Sequence, residues 1–129
     1  IDFPRDVQPI LEKHCTKCHN PDRYDGQVDL TGDHTPLFSQ SYWTIIQKGL
    51  IADGRNEPFG NRAPRTIGSS ASRLIKLLRE GHEDVKLTAD ELKRVALWID
   101  LNAIFYGVNL PADQARMRRG ETVGMPEIQ

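Results

Sequence analysis

Cys15-Thr16-Lys17-Cys18-His19 is the stretch that decides the fold of this chain of 129 residues. The order C-x-x-C-H is what covalent attachment of haem requires. The two thiols add across the vinyl groups of the porphyrin, and the adjacent histidine becomes the proximal ligand of the iron. The stretch therefore predicts one haem c, tethered through Cys15 and Cys18, with His19 as a metal ligand.

Three other chemistries also use closely spaced cysteines. Thioredoxin-like exchange needs a strand-helix-strand pattern, which the residues around Cys15 lack. A structural zinc site needs a second pair of ligands, but the chain has two cysteines in all and no H-x3-5-H segment follows them. His14 cannot easily complete a tetrahedron, because adjacent helical residues point about 100° apart. A plain disulfide is the third alternative, and the motif favours haem over all three.

Composition restricts the partners and the location. The formal net charge is −1, from 17 basic and 18 acidic residues, so it indicates neither nucleic acid nor an anionic membrane as partner. No apolar run is long enough to span a membrane. The chain opens on Ile1-Asp2-Phe3-Pro4 without a signal sequence. Since haem c is attached outside the bacterial cytoplasm, we expect a mature or excised segment of a periplasmic or otherwise extracytoplasmic protein.

Apolar spacing predicts short helices separated by long loops rich in glycine and proline. Residues 1–107 are predicted to form one monohaem domain, and residues 108–129 a polar C-terminal extension in which Pro111 can begin a short helix. Residues 51–69 read as a long loop that could cover a cofactor. The predicted helices run from Asp6 to Cys15, from Ser39 or Ser41 to Leu50, from a Ser69 or Ser70 cap to a left-handed cap at Gly81, and from a Thr88–Glu91 capping box to Asn102.

This helical frame, with C-x-x-C-H at the end of its first helix, resembles a class I c-type cytochrome domain. The segments Gly68-Ser69-Ser70-Ala71-Ser72-Arg73-Leu74, Glu80-Gly81-His82-Glu83-Asp84-Val85-Lys86-Leu87, Leu97-Trp98-Ile99-Asp100-Leu101-Asn102-Ala103 and Tyr106-Gly107 resemble the C-terminal haem c domain of hydrazine synthase alpha subunits. The opening Asp6-Val7-Gln8-Pro9-Ile10-Leu11 is similar to planctomycete-type cytochrome domains. The resemblance covers most of residues 1–107. It implies an all-α, cytochrome c-like fold of about four short helices, whose long loops surround one covalently bound haem.

The sixth ligand of the iron has five candidates, namely His14, His34, His82, Met117 and Met125. His14 lies beside a tethering cysteine, and His34 lies in a loop where a solvated histidine is the more frequent outcome. By the resemblance, His82 matches the distal histidine, although a surface histidine in a turn is the plain alternative. Met125 lies between glycine and proline, as in methionine ligand loops, but it follows the last main helix instead of preceding it. We expect His82, with Met125, Met117 and His34 left open.

Other side chains are predicted to complete the haem pocket. Trp43 is a candidate wall residue, although single aromatic residues more often belong to the core. Arg62 and Arg65, in the long loop, are candidates for binding the propionates, with solvated arginines as the alternative. Asp84 could orient the ring of His82. The further aromatic candidates are Phe38, Phe59, Trp98, Phe105 and Tyr106.

A six-coordinate, bis-histidine haem predicts electron transfer, because it leaves no open iron site for a substrate. We expect a domain that is not itself an enzyme but can belong to one, with a redox partner protein or a fused catalytic domain as its partner. Three alternatives remain. They are a His/Met-ligated class I cytochrome, a haem sensor or catalytic domain with an open or displaceable distal ligand, and an interaction module that haem only staples together.

Overall fold

Helices and loops make up residues 1–55 and 60–124, the part of the chain that the computed structural model describes. Within these residues no β-strand forms, and strand-like pairing is limited to the isolated bridges His34–Ser39 and His82–Val85. The predicted all-α class is confirmed. In the same residues, no helix is both long and apolar enough to cross a membrane. The five α-helices are α1 (Gln8–His14), α2 (Gln40–Gln47), α3 (Arg73–Glu80), α4 (Ala89–Asp100) and α5 (Pro111–Arg118).

The chain becomes helical earlier than the predicted start at Asp6. A π-helical turn, Phe3–Val7, leads directly into α1. Its cap is Asp2, which is fully buried and accepts a hydrogen bond from the Arg5 N–H at 3.0 Å. Asp6 instead accepts from the Asp2 N–H at 2.8 Å, so it supports the cap and does not form it. Pro9 falls in the first turn of α1, as predicted, where a missing N–H is tolerated.

The third helix also begins at a different residue from the one predicted. Ser69–Ala71 form a 3-10 turn, and α3 begins only at Arg73. The Ser69 hydroxyl donates to the Asp100 carboxylate at 2.9 Å, so it is not available to cap α3. At the other end, Gly81 is the C-cap, as predicted, and has a positive φ of 97°, but its ψ of 138° is extended, so its conformation is not the left-handed helical one that was predicted.

The second helix, α2, has the predicted Ser39 cap, whose hydroxyl accepts from the Tyr42 N–H. It ends at Gln47, before the predicted end at Leu50. Gly49 follows with a φ of 60°, a value that favours glycine, and turns the chain out of the helix.

The fourth helix has the predicted capping box. The Thr88 hydroxyl accepts from the Glu91 N–H at 3.2 Å, and the Glu91 carboxylate accepts from the Thr88 N–H at 2.8 Å. The helix ends at Asp100, slightly before the predicted end, because Asn102 and Ala103 both have a positive φ.

Replacing Thr88 by alanine is expected to lower the free energy of unfolding by about 1 kcal/mol, because one N–H at the start of α4 loses its acceptor. Denaturant unfolding of the whole chain measures the change. Thr122→Ala removes an exposed hydroxyl away from any helix start, so its effect should stay within about 0.5 kcal/mol. Equal effects of the two substitutions would contradict the capping role.

The core lies between α4 and the N-terminal turn. Trp98 has no exposed surface, and its ring centre is 5.1 Å from that of Phe3. Arg94 on α4 forms an ion pair with Asp6 at 3.3 Å on the surface above them. The beginning of the chain therefore packs directly on its last long helix.

The predicted short helix in the C-terminal extension is confirmed as α5. A small apolar cluster of Val108, Met117 and Val123 forms beside it. The Arg5 guanidinium donates to the Val123 carbonyl at 3.1 Å, which ties the extension to the N-terminal turn. The division of the chain at residue 107 into a domain and an extension stays a prediction.

Candidate cofactor site

An apolar cavity of about 350 Å³ contains the C-x-x-C-H motif. Its volume falls within the range of about 300–1,000 Å³ that is typical of small-molecule sites. The histidines and cysteines on its wall are His14, Cys15, Cys18, His19 and His82. Most of the remaining wall is aliphatic and consists of Val28, Leu30, Leu50, Leu74, Leu77, Leu78 and Val85. A large planar apolar group bonded to the cysteines needs such a wall.

Two histidines from distant parts of the sequence come close together in the wall of this cavity. His19 follows α1, His82 follows α3, their ring centres are 5.8 Å apart and their ring planes differ by 14°. Bonds from imidazole nitrogen to a metal are about 2 Å long. Two nitrogens on opposite sides of one metal ion are then about 4 Å apart, which puts the ring centres roughly 6 Å apart. The spacing of the two rings therefore fits an iron held between them.

The ring of His19 is oriented by a backbone group. Its Nδ1 lies 2.9 Å from the carbonyl oxygen of Asp25. Because a carbonyl can only accept, Nδ1 carries the proton and Nε2 is left as the ligand atom. This partner was not predicted from the sequence. Its only signal was the Asp25-Gly26 turn dipeptide, and Gly26 indeed has a φ of 64°.

His82 is presented by a tight turn. Its carbonyl accepts from the Val85 N–H at 3.1 Å, and Gly81 before it has a positive φ. Asp84 is exposed and forms no hydrogen bond with the His82 ring, so the predicted orienting role of Asp84 is wrong. The ring contact that the structure shows for His82 is with His19.

Of the other candidate ligands that the structure describes, His14 lines the same cavity and His34 and Met117 do not. The Nε2 of His14 lies 3.2 Å from the Glu91 carboxylate, which occupies that nitrogen. His34 and Met117 line a second, smaller cavity of about 200 Å³ beside the C-terminal extension. Met117 is buried there among the apolar side chains of the extension. Met125 lies outside the described residues, so its claim as a ligand stays open.

Three predicted haem contacts do not line the cavity. The Trp43 indole donates to the Thr35 hydroxyl at 3.2 Å and packs edge-on against Phe38. Arg62 and Arg65 are also absent from the wall. Lys48 and Arg73 are the lysine and arginine that do line it, and neither was predicted. The roles proposed for Trp43, Arg62 and Arg65 gain no support from this geometry and stay predictions.

The other aromatic candidates are placed as follows. Phe38, Trp98, Phe105 and Tyr106 pack around Phe3 and Tyr42 and are not part of the cavity wall. They belong to the core or its edge, which is the more frequent location of single aromatic residues. Phe59 lies outside the described residues.

The alternative cysteine chemistries fit the site poorly. Cys15 and Cys18 are both free thiols, so they form no disulfide. No group of three or more histidine, cysteine or acidic side chains in the described part of the chain could hold a metal ion by itself. Burial, and then the nearby Cys18, raise the pKa of the Cys15 thiol to about 11. An exchange site needs a lowered thiol pKa, so the raised pKa of Cys15 argues against thioredoxin-like chemistry.

A surface network beside the cavity joins α1 to α4. The Glu91 carboxylate bonds to Lys13 Nζ at 2.8 Å and to His14 Nε2 at 3.2 Å. The hydrogen bond from Lys13, followed by those from the Thr88 N–H and from His14, lowers the pKa of Glu91 to about 2. Ionised Glu91 therefore helps to fix the end of α1, where the motif begins.

Glu91→Gln is expected to reduce stability only where the carboxylate is ionised. A carboxylate whose pKa is lowered on folding stabilises the chain above its ordinary pKa of 4.5, and this contribution disappears as the pH falls to about 2. The stability difference between wild type and Glu91→Gln should thus be full at pH 6 and close to zero at pH 2. Gln can keep the capping box, so the comparison isolates the charge. Denaturant unfolding at several pH values measures it, and a constant difference would contradict the prediction.

Together, these observations describe a small helical protein whose apolar cavity is lined by two cysteines and by two histidines with nearly parallel rings. Compared with known proteins, the chain is similar to hydrazine synthase subunit alpha of Kuenenia stuttgartiensis. The two are 26% identical over an alignment 125 positions long, and the alignment covers 80% of this chain. The chain spans only 15% of the length of that relative. The similarity supports a distant relationship. No family model matches the chain, and no solved structure does.

Proposed function

We propose that this chain is a monohaem, cytochrome c-like domain that transfers electrons. Cys15 and Cys18 would tether the haem, with His19 and His82 as axial ligands. One observation carries the proposal: the C-x-x-C-H motif lies in an apolar cavity, and a second histidine faces His19 there at a ring spacing that fits one iron.

The bound haem would supply reversible one-electron chemistry between ferric and ferrous iron. The chain's own residues would do the rest. The Asp25 carbonyl keeps the proton on Nδ1 of His19, which leaves Nε2 as the atom that would bind the iron and would raise its basicity. The aliphatic wall would exclude water from a bound haem, and such exclusion is one of the factors that set a reduction potential.

The partner would be a catalytic domain in the same polypeptide or a separate extracytoplasmic redox protein. The similarity to a much longer protein named as a hydrazine synthase subunit favours the first. In either arrangement the domain passes electrons and is not itself the enzyme.

Carbon monoxide binding separates the relay from a haem sensor or catalytic site. If His82 fills the distal position, the reduced protein should bind carbon monoxide slowly and incompletely, and it should give a reversible one-electron wave in voltammetry. Rapid and complete binding would show an open or displaceable distal position and would contradict the relay.

A further inference from the structure

We propose that Arg73, supported by Lys48, binds the two carboxylates of the haem and thereby raises its reduction potential. The proposal rests on the haem site proposed above and adds the residues that hold the polar edge of the cofactor. Arg62 and Arg65, the candidates that the sequence offered for that role, do not line the cavity.

Two helices bring the cations to the same cavity. Arg73 is the first residue of α3, and Lys48 caps the end of α2. The Leu74 N–H donates to the Leu50 carbonyl at 2.8 Å, which fixes the two segments side by side. Both cationic side chains line the cavity, although their residues are exposed overall. They therefore lie where the cavity meets solvent.

The chemistry of haem c favours cations at such a position. The thioether bonds to Cys15 and Cys18 fix one edge of the porphyrin, and the two carboxylates project from a different edge. An ionised carboxylate placed against the aliphatic wall without a partner would be very costly. Among the described lining residues, Lys48 and Arg73 are the lysine and arginine available, while Glu83 would repel the carboxylates.

Arginine is the stronger anchor of the two. Its planar guanidinium can donate two parallel hydrogen bonds to one carboxylate, whereas the lysine ammonium acts as a point charge. A positive group near the haem also favours ferrous iron, since the ferric form carries one more positive charge. Removing Arg73 should therefore lower the reduction potential.

The test compares Arg73→Met and Lys48→Met with Lys76→Met, which removes an exposed cation from α3 that does not line the cavity. Each variant is first checked for covalent haem and for a low-spin spectrum, so that failure of the haem site itself is recognised separately. The reduction potential and the resonance Raman bands of the haem carboxylates are then measured.

Arg73→Met should lower the equilibrium constant for reduction about threefold, which is about 28 mV since tenfold is about 59 mV for one electron. It should also shift the carboxylate bands, Lys48→Met should produce a smaller change, and Arg73→Lys should restore most of the potential. Lys76→Met should move neither readout. Equal results for Arg73→Met and Lys76→Met, or a larger shift in Arg65→Met than in Arg73→Met, would overturn the proposal.

Discussion

Replacing His82 by alanine should convert the oxidised haem from low-spin to high-spin and open the iron to carbon monoxide. His82 reaches the cavity from the turn after α3 and faces His19 with nearly parallel rings. Without the imidazole, water or no ligand remains at the sixth position, and the ligand field weakens. Absorption spectra of the oxidised protein, and carbon monoxide titration of the reduced protein, measure the two effects.

The matched control for this substitution is His34→Ala. His34 is also a loop histidine, but it lines the second cavity beside the C-terminal extension. We expect His34→Ala to leave the spin state and carbon monoxide binding as in the wild type. A low-spin spectrum that persists in His82→Ala would contradict distal ligation by His82 and would direct attention to Met125.

Replacing both Cys15 and Cys18 by alanine should abolish covalent haem attachment altogether. Each thiol can form one thioether bond, so the single variants should keep one bond and the double variant none. Peroxidase staining of a denaturing gel and the intact mass of the chain detect the attached haem. The melting temperature should also fall in the double variant, because a cofactor that binds only the folded chain stabilises it.

Thr16→Ala is the control inside the motif. The Thr16 hydroxyl donates to the Glu12 carbonyl at 2.9 Å and points to the helix backbone, away from any role in attachment. This variant should carry as much covalent haem as the wild type. A haem-bearing double cysteine variant, with full intact mass after denaturation, would contradict attachment through these thiols.

Local sequence signals predicted those parts of the fold that depend on neighbouring residues. The capping box at Thr88, the Ser39 cap and the tolerated Pro9 each involve atoms within one helical turn. Residue type and spacing are enough to predict short-range geometry of this kind. The start of α5 at Pro111 was predictable for the same reason.

Features that depend on packing between distant residues could not be predicted in this way. The Ser69 hydroxyl is taken by Asp100, 31 residues away, which moves the start of α3 to Arg73. Arg73 lines the cavity because a hydrogen bond from the Leu74 N–H to the Leu50 carbonyl fixes the start of α3 there, and no local pattern signals this bond. The contact between the rings of Trp43 and Phe38 is likewise tertiary packing that residue type alone does not signal.

The residues of the candidate site also differ in whether a local sequence pattern could predict them. Cys15, Cys18 and His19 form a contiguous motif, so their grouping required no knowledge of the fold. His82 was predicted from a resemblance, and the structure brings it to the motif. The Asp25 carbonyl is a backbone group without a side-chain signature, so residue types alone could not indicate that it would hold the His19 ring.

The absorption spectrum of the oxidised, haem-loaded protein is the most direct test of bis-histidine ligation by His19 and His82. We expect a low-spin ferric haem c that lacks the weak sulfur-to-iron charge-transfer band near the red end of the visible range. A high-spin spectrum would contradict an occupied distal position, and the presence of the sulfur-to-iron band would show methionine in place of His82.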